Sequence, residues 1–338
     1  MSYSDDKTEK QLKTLERKIS KAFKDAYEGI NADATKYFAS LESRWEKEHE
    51  AFLAGEYTEA EFKAWEQTQL ARGKKWEKVK SDMARQLTQT NEIASSYIND
   101  TTPSIYSLNA NYEAYQIAQD SGSMQSAWDM VDQQTVKQLI ESKQGKYTEF
   151  KTTRVNPQRD YEWNSQQIQR TLNAGILQGN SIGELADAFE SVMKRNRSSA
   201  IRNARTSVTS AQNAGRLKSL EQAEKLGIKV QKKWVSTLDE RTRFSHAMLN
   251  GQIREISKEF SNGLMHPADS LGSPREVYNC RCTLTYIYPD YDKQTSNELW
   301  EEMSVEEKAQ ERKRYEKWQS EMASIHKSQQ KDFKFKRG

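Results

Sequence analysis

The residues best suited to chemistry fall between Trp234 and Cys282, a stretch holding two of the four histidines and both cysteines of a 338-residue chain. His246, His266, Cys280 and Cys282 are the residue types that hold a tetrahedral zinc ion, the cysteines as thiolates kept reduced in a cytosol. The cysteines stand one residue apart, closer than zinc-binding pairs usually do, so buried thiols with histidines bonded to loop carbonyls fit the same residues. A disulfide between them would close a strained ring, so free thiols are expected. Asp239, His246, Asn250 and His266 also suggest a metal-dependent nuclease, in which a histidine base beside a metal ligand activates water. Against this, the chain offers no dense cluster of carboxylates and histidines.

These side chains need elements to position them. Val230 to Ser236 reads as a short strand, and Thr237 with Glu240 has the spacing of a capping box that starts a helix ending at Asn250-Gly251. On that helix Asp239, Arg243, His246 and Asn250 would share about 60 degrees of arc, with Asp239 and Arg243 at ion-pair spacing. A loop through His266 and Pro267 follows. Cys280 and Cys282 then lead into Thr283 to Tyr288, whose alternation predicts a strand ended by Pro289 and puts both thiols on one side.

Upstream, Lys194 to Lys218 carries seven Lys or Arg and no acidic residue. At helical spacing Arg195, Arg202, Arg205 and Arg216 lie within about 80 degrees of arc. Such a stripe fits sequence-independent contact with phosphates, or a face paired with acidic groups elsewhere. Before it, Gly179-Asn180-Ser181 separates two short helices in a hairpin, with Ser181 and Glu184 as a cap, and Gly145 to Pro157 reads as a linker. The first 150 residues repeat apolar positions at three and four residues, as in Leu12, Leu15, Ile19, Ala22 and Ala26. Gly55 and Gly73 mark turns, and Thr58 with Glu61 predicts another capping box. Lys74 to Thr102 predicts a helix of about 40 Å. Trp45, Trp65 and Trp76 exceed what thin apolar stripes need, which suits an arm that docks on a larger assembly.

The predicted fold is α+β and mainly α. An elongated helical region, 1–150, precedes a helical hairpin, a basic helix and a small mixed domain, together 151–290, and a helical to disordered basic tail, 291–338. The tail includes Lys331, Lys334, Lys336 and Arg337. A mean hydropathy of −1.00 is poor for one large core, and a net charge of +3 is too small to name a partner by itself. No run of apolar residues is long enough for a membrane span and the start lacks a signal peptide's pattern, so a cytosolic origin without a membrane partner is expected.

Taken in order, Gly179-Asn180-Ser181, Ala204-Arg205-Thr206, Gln212-Asn213-Ala214-Gly215-Arg216, Trp234-Val235-Ser236-Thr237, Asp239-Glu240-Arg241-Thr242-Arg243, His246, Asn250-Gly251 and Asn279-Cys280-Arg281-Cys282 form a distinctive series. Over about residues 163 to 288 the chain resembles the phage Mu F-like minor head protein family, also called the phage head morphogenesis family. The resemblance implies a minor capsid protein of a tailed bacteriophage, assembled in the host bacterial cytoplasm and placed inside the head near the portal. Its implied partners are the portal protein, the major capsid or scaffolding protein, and packaged double-stranded DNA, with roles in head assembly and genome packaging or ejection. It implies no enzyme. Trp234, Asp239, Arg243, His246, Gly251, Cys280 and Cys282 sit at motif positions, while His266 lies outside the pattern. The competing expectation is the nuclease built on Asp239, His246 and His266.

Overall fold

A computed structural model describes residues 2–72, 74–123, 127–142, 149–177, 182–289, 300 and 302–335. The expected features at Gly73, Gly145, Gly179 to Ser181, Lys336 and Arg337 lie outside them. The fold is α+β and mainly α. In chain order the elements are α1 (Tyr3–Leu53), α2 (Glu59–Arg72), α3 (Lys74–Ser121), α4 (Gln133–Ser142), α5 (Pro157–Leu177), α6 (Ile182–Lys225), β1 (Gln231–Val235), α7 (Phe244–Ala247), β2 (Ile253–Arg254), α8 (Pro274–Val277), β3 (Thr283–Ile287) and α9 (Val305–Phe335).

Local chemistry explains several helix starts. Thr58 donates its backbone N–H to Glu61 Oε2 at 2.9 Å and accepts the Glu61 N–H at 3.3 Å, the predicted reciprocal cap of α2. Ser304 and Glu307 repeat it before α9, at 2.7 and 3.2 Å. Asn156 Oδ1 accepts the Arg159 N–H, and Pro157 takes the first turn of α5, where its missing donor costs nothing.

Two helices are longer than their sequences suggest. α3 runs on through Pro103 to Ser121, because Thr102, Ile105 and Tyr106 are buried around the proline and tertiary packing outweighs its cost of about 3 kcal/mol. α6 joins the expected second hairpin helix and the basic helix into 44 continuous residues.

The chain makes two compact units from interleaved segments: residues 1–15, 98–153 and 202–338, and residues 16–97 and 154–201. These units do not follow the sequential boundaries expected near 150 and 290. In the second unit Trp76 is fully buried, with ring centres 5.6 Å from Tyr37 and 5.9 Å from Phe189. Asn91 donates to Asp160 at 2.9 Å and to Asn196 at 2.8 Å, tying α3 to α5 and α6. Phe62 stacks on Phe52 and contacts Trp45 and Trp65. Two of the three surplus tryptophans thus pack around Phe62, Trp76 sits in the core, and Trp45 keeps 37% of its surface exposed.

The first unit contains the sheet, in the order β2-β1-β3 with both pairings antiparallel and Trp234 opposite Leu284. Trp234, Phe260, Leu264, Val277, Leu284 and Tyr286 pack with Leu217 and Leu220 of α6 and Tyr115 of α3. Tyr315 and Trp318 of α9 close over Tyr112 and Tyr115, and Tyr3 at the start of α1 meets Tyr112 and Tyr315.

Candidate functional site

Within the first unit, α6 holds β3 through side chains that the sequence groups in one motif. Asn213 accepts the Leu284 N–H at 2.7 Å and donates to the Cys282 carbonyl at 3.1 Å, so it completes backbone bonding along the strand entry. Gly215 sits where a Cβ would lie 2.4 Å from the Tyr106 carbonyl oxygen; only glycine lets α6 approach α3 this closely. Thr206 accepts the N–H of Asn279, whose φ of 54° turns the chain toward the cysteines.

Arg216 is 1% exposed. It donates to Thr283 Oγ1 at 2.5 Å, the Leu284 carbonyl at 2.9 Å and Asp5 Oδ1 at 2.6 Å, with Glu113 3.9 Å away. Its place on the expected DNA-binding stripe is therefore corrected: helical spacing aligned it with the other arginines, but acidic and carbonyl oxygens of its own unit surround it. Arg195, Arg202 and Arg205 are exposed, and Arg202 also lies 5.2 Å from the centre of the Tyr278 ring.

The buried centre is built around Trp234. Its indole N–H donates to Ser236 Oγ at 3.1 Å, and that hydroxyl donates to the His246 carbonyl at 2.6 Å. Asn250 Oδ1 accepts the Ser236 N–H at 3.0 Å, and Gly251 turns with φ of 79° to bond the Trp234 carbonyl. The His246 ring meets the indole edge-on at 5.4 Å. One ring nitrogen, Nε2, is 3.0 Å from Glu276 Oε2; the other, Nδ1, is 3.4 Å from Cys282 Sγ and 3.6 Å from Cys280 Sγ. With Nε2–H donated to the carboxylate, the Nδ1 lone pair faces the thiols. Hydrogen bonding with Cys280 first, and then with His246 and Ser236, holds the Cys282 thiol well below the usual range against its burial, and the same pairing together with burial pushes Cys280 up.

Among the described residues, His246, Cys280 and Cys282 are the group whose ligand atoms come together for a metal, all within 4.8 Å of one another. The fourth expected ligand does not join them. His266 is buried elsewhere, its Nδ1 3.0 Å from the Pro267 carbonyl and its pKa lowered by desolvation. The proposed nuclease trio is not assembled either, because Asp239 forms a two-pronged pair with Arg281 at 2.5 and 2.6 Å.

The long helix expected from Thr237 to Asn250 is also corrected. Only Phe244–Ala247 is helical, because side chains draw the preceding residues into a loop. Thr237 Oγ1 donates to the Arg281 carbonyl, Thr242 to the Thr237 carbonyl, and Asp239 accepts the Arg241 N–H. Arg243 donates to the Tyr278 carbonyl, so the expected Asp239–Arg243 pair gives way to partners 35 to 42 positions away. Glu276 had no mark in the sequence beyond its place beside Pro274.

A small antiparallel sheet strapped to a long helix by Asn213, Thr206 and Arg216, with a His–Cys–Cys centre, defines a compact α+β module. Residues 166–285 match the model of the family described as "Phage Mu protein F like protein", in line with the resemblance seen in the sequence. The chain is 31% identical over 123 residues to the Minor head protein GP7 of Bacillus phage SPP1, covering 36% of the chain and 40% of that protein. It is 32% identical over 123 residues to the NAD(+)--arginine ADP-ribosyltransferase EFV of Enterococcus faecalis (strain ATCC 700802 / V583), covering 35% of the chain and 25% of that protein. The similarity thus spans less than half the length of either relative. No solved structure matches the chain.

Proposed function

We propose that the protein is a minor head protein of a tailed bacteriophage, acting in head assembly from inside the head near the portal, where it meets portal and capsid or scaffolding protein. The observation that carries this is the intact Mu F-like framework: its motif residues Thr206, Asn213, Gly215, Arg216, Trp234, His246 and Cys282 hold one another in place. Their main work is structural, which suits an assembly protein. The similarity to a protein named a minor head protein supports the same role. Most of the Enterococcus relative lies outside the matched stretch, so its transferase name supports no activity here.

Contact with packaged double-stranded DNA belongs to the proposal through Arg195, Arg202 and Arg205. Their forked side chains suit phosphate oxygens without reading bases. Partner contacts fall to exposed apolar side chains, among them Phe244 at 80% and Leu271 at 79%. Mass spectrometry of purified virions tests the role. The protein is expected in mature particles, and particles made without it should show defective heads; normal, infectious heads would overturn the proposal.

A further inference from the structure

Within the Mu F-like module, the two thiols and the inward nitrogen of His246 stand in a geometry that buried cysteines alone do not require. A tetrahedral zinc ion with Zn–S of about 2.3 Å and Zn–N of about 2.0 Å sets its sulfur and nitrogen ligands about 3.5 Å apart. The two sulfurs lie 3.4 and 3.6 Å from Nδ1. The far nitrogen of the same ring is engaged by Glu276 Oε2 at 3.0 Å, the carboxylate–histidine arrangement that orients an imidazole and raises its basicity toward a metal. All three ligand residues are buried, at 1% for His246 and Cys280 and 4% for Cys282.

We infer that His246 Nδ1, Cys280 Sγ and Cys282 Sγ hold a zinc ion, with Glu276 positioning the imidazole and a solvent oxygen completing the tetrahedron. Each thiol gives its proton to solvent as its sulfur ligates, so two thiolates, one neutral imidazole and one Zn²⁺ sum to no net charge. The mixed nitrogen and sulfur set is too poor in thiolates for an iron–sulfur cluster and too soft for magnesium or calcium. His266 takes no part.

The ion would fasten three pieces of chain that have little regular structure: the turn carrying α7, the α8 turn that presents Glu276, and the strand entry at Cys280 to Cys282. Side-chain hydrogen bonds from Ser236 and Asn213 to the His246 and Cys282 carbonyls hold two of these from outside, and the ion would lock them from within.

The test uses the full chain purified under reducing conditions. Elemental analysis should find about one zinc per chain, and X-ray absorption at the zinc edge should count two sulfurs and one imidazole nitrogen in the first shell. Cobalt(II) added to protein stripped of zinc should give the intense visible bands of a tetrahedral thiolate site. His246→Gln should abolish these signals, and Glu276→Gln, which keeps the buried framework, should weaken metal affinity about 10- to 100-fold. His266→Gln should leave metal content unchanged, which separates this set from one that includes His266. Folded wild-type protein with both thiols titrated as reduced, yet without zinc and without the cobalt spectrum, would overturn the inference. So would full metal content in a folded Cys280→Ala/Cys282→Ala variant, or undiminished affinity in Glu276→Gln. None of these readouts depends on virion assembly, so a failed zinc site and a failed head-protein role are distinguishable.

Discussion

Arg216 and its neighbours on α6 show how one residue type performs two tasks on one helix. Arg216 is enclosed with Asp5 and Glu113, so Arg216→Met removes a buried cation and leaves carboxylates without it. Unfolding in urea should show a loss of about 3 to 5 kcal/mol. Arg195→Ala, Arg202→Ala and Arg205→Ala combined should leave stability within about 1 kcal/mol. In filter-binding titrations the triple variant should lose affinity for unrelated DNA sequences alike. Its log–log salt slope should fall by about 0.9 for each phosphate that is no longer neutralised. Unchanged salt dependence would remove DNA from the proposed role. Lys232 offers a pH test at the same scale. Burial pushes its pKa down to about 8, its Nζ held by the Met265 carbonyl at 2.9 Å. An unfolded lysine titrates near about 10.4, so between these values the unfolded chain binds more protons and folding gains stability as pH rises. The difference between wild type and Lys232→Met should therefore shift in favour of wild type from pH 8 toward 10, by roughly 1 to 3 kcal/mol, in denaturation series at fixed ionic strength.

At the level of elements, the close crossing of α6 and α3 depends on a missing side chain. Gly215→Ala puts a methyl group 2.4 Å from a backbone oxygen that cannot swing away, and thermal unfolding should show a loss of about 1 to 3 kcal/mol or more. Thr58→Ala removes half of a solvent-exposed cap and should cost about 1 kcal/mol. The Thr58 cap was legible in the sequence because both partners lie within one turn. The strands around Trp234 and Leu284 were legible for a similar reason, since alternation is local. The helix expected from Thr237 was not realised, because the groups that unwind it, Arg281 and Tyr278, arrive from about 40 positions further on. Arg216 was misplaced for the same cause, its partner Asp5 lying 211 positions earlier. Residue type alone brought His246, Cys280 and Cys282 together in the sequence. Only the fold sets Glu276 behind the imidazole and His266 apart from it.

Across the whole molecule, each compact unit is stitched from distant stretches of chain. The first unit joins the opening turns of α1 to the second part of α3, the end of α6, the sheet and α9. Among the described residues no helix is long and apolar enough to cross a membrane. Its aromatic seal brings Tyr3 to 5.8 Å from Tyr315, two residues at nearly opposite ends of the sequence. A ribosome adding about 5 to 20 residues per second needs roughly 15 to 60 s to travel from one to the other. Throughout that interval Tyr3 has emerged without the Tyr315 ring that later packs against it. The first unit can therefore close only after α9 has been made, and until then the start of α1 waits with part of its aromatic cover missing.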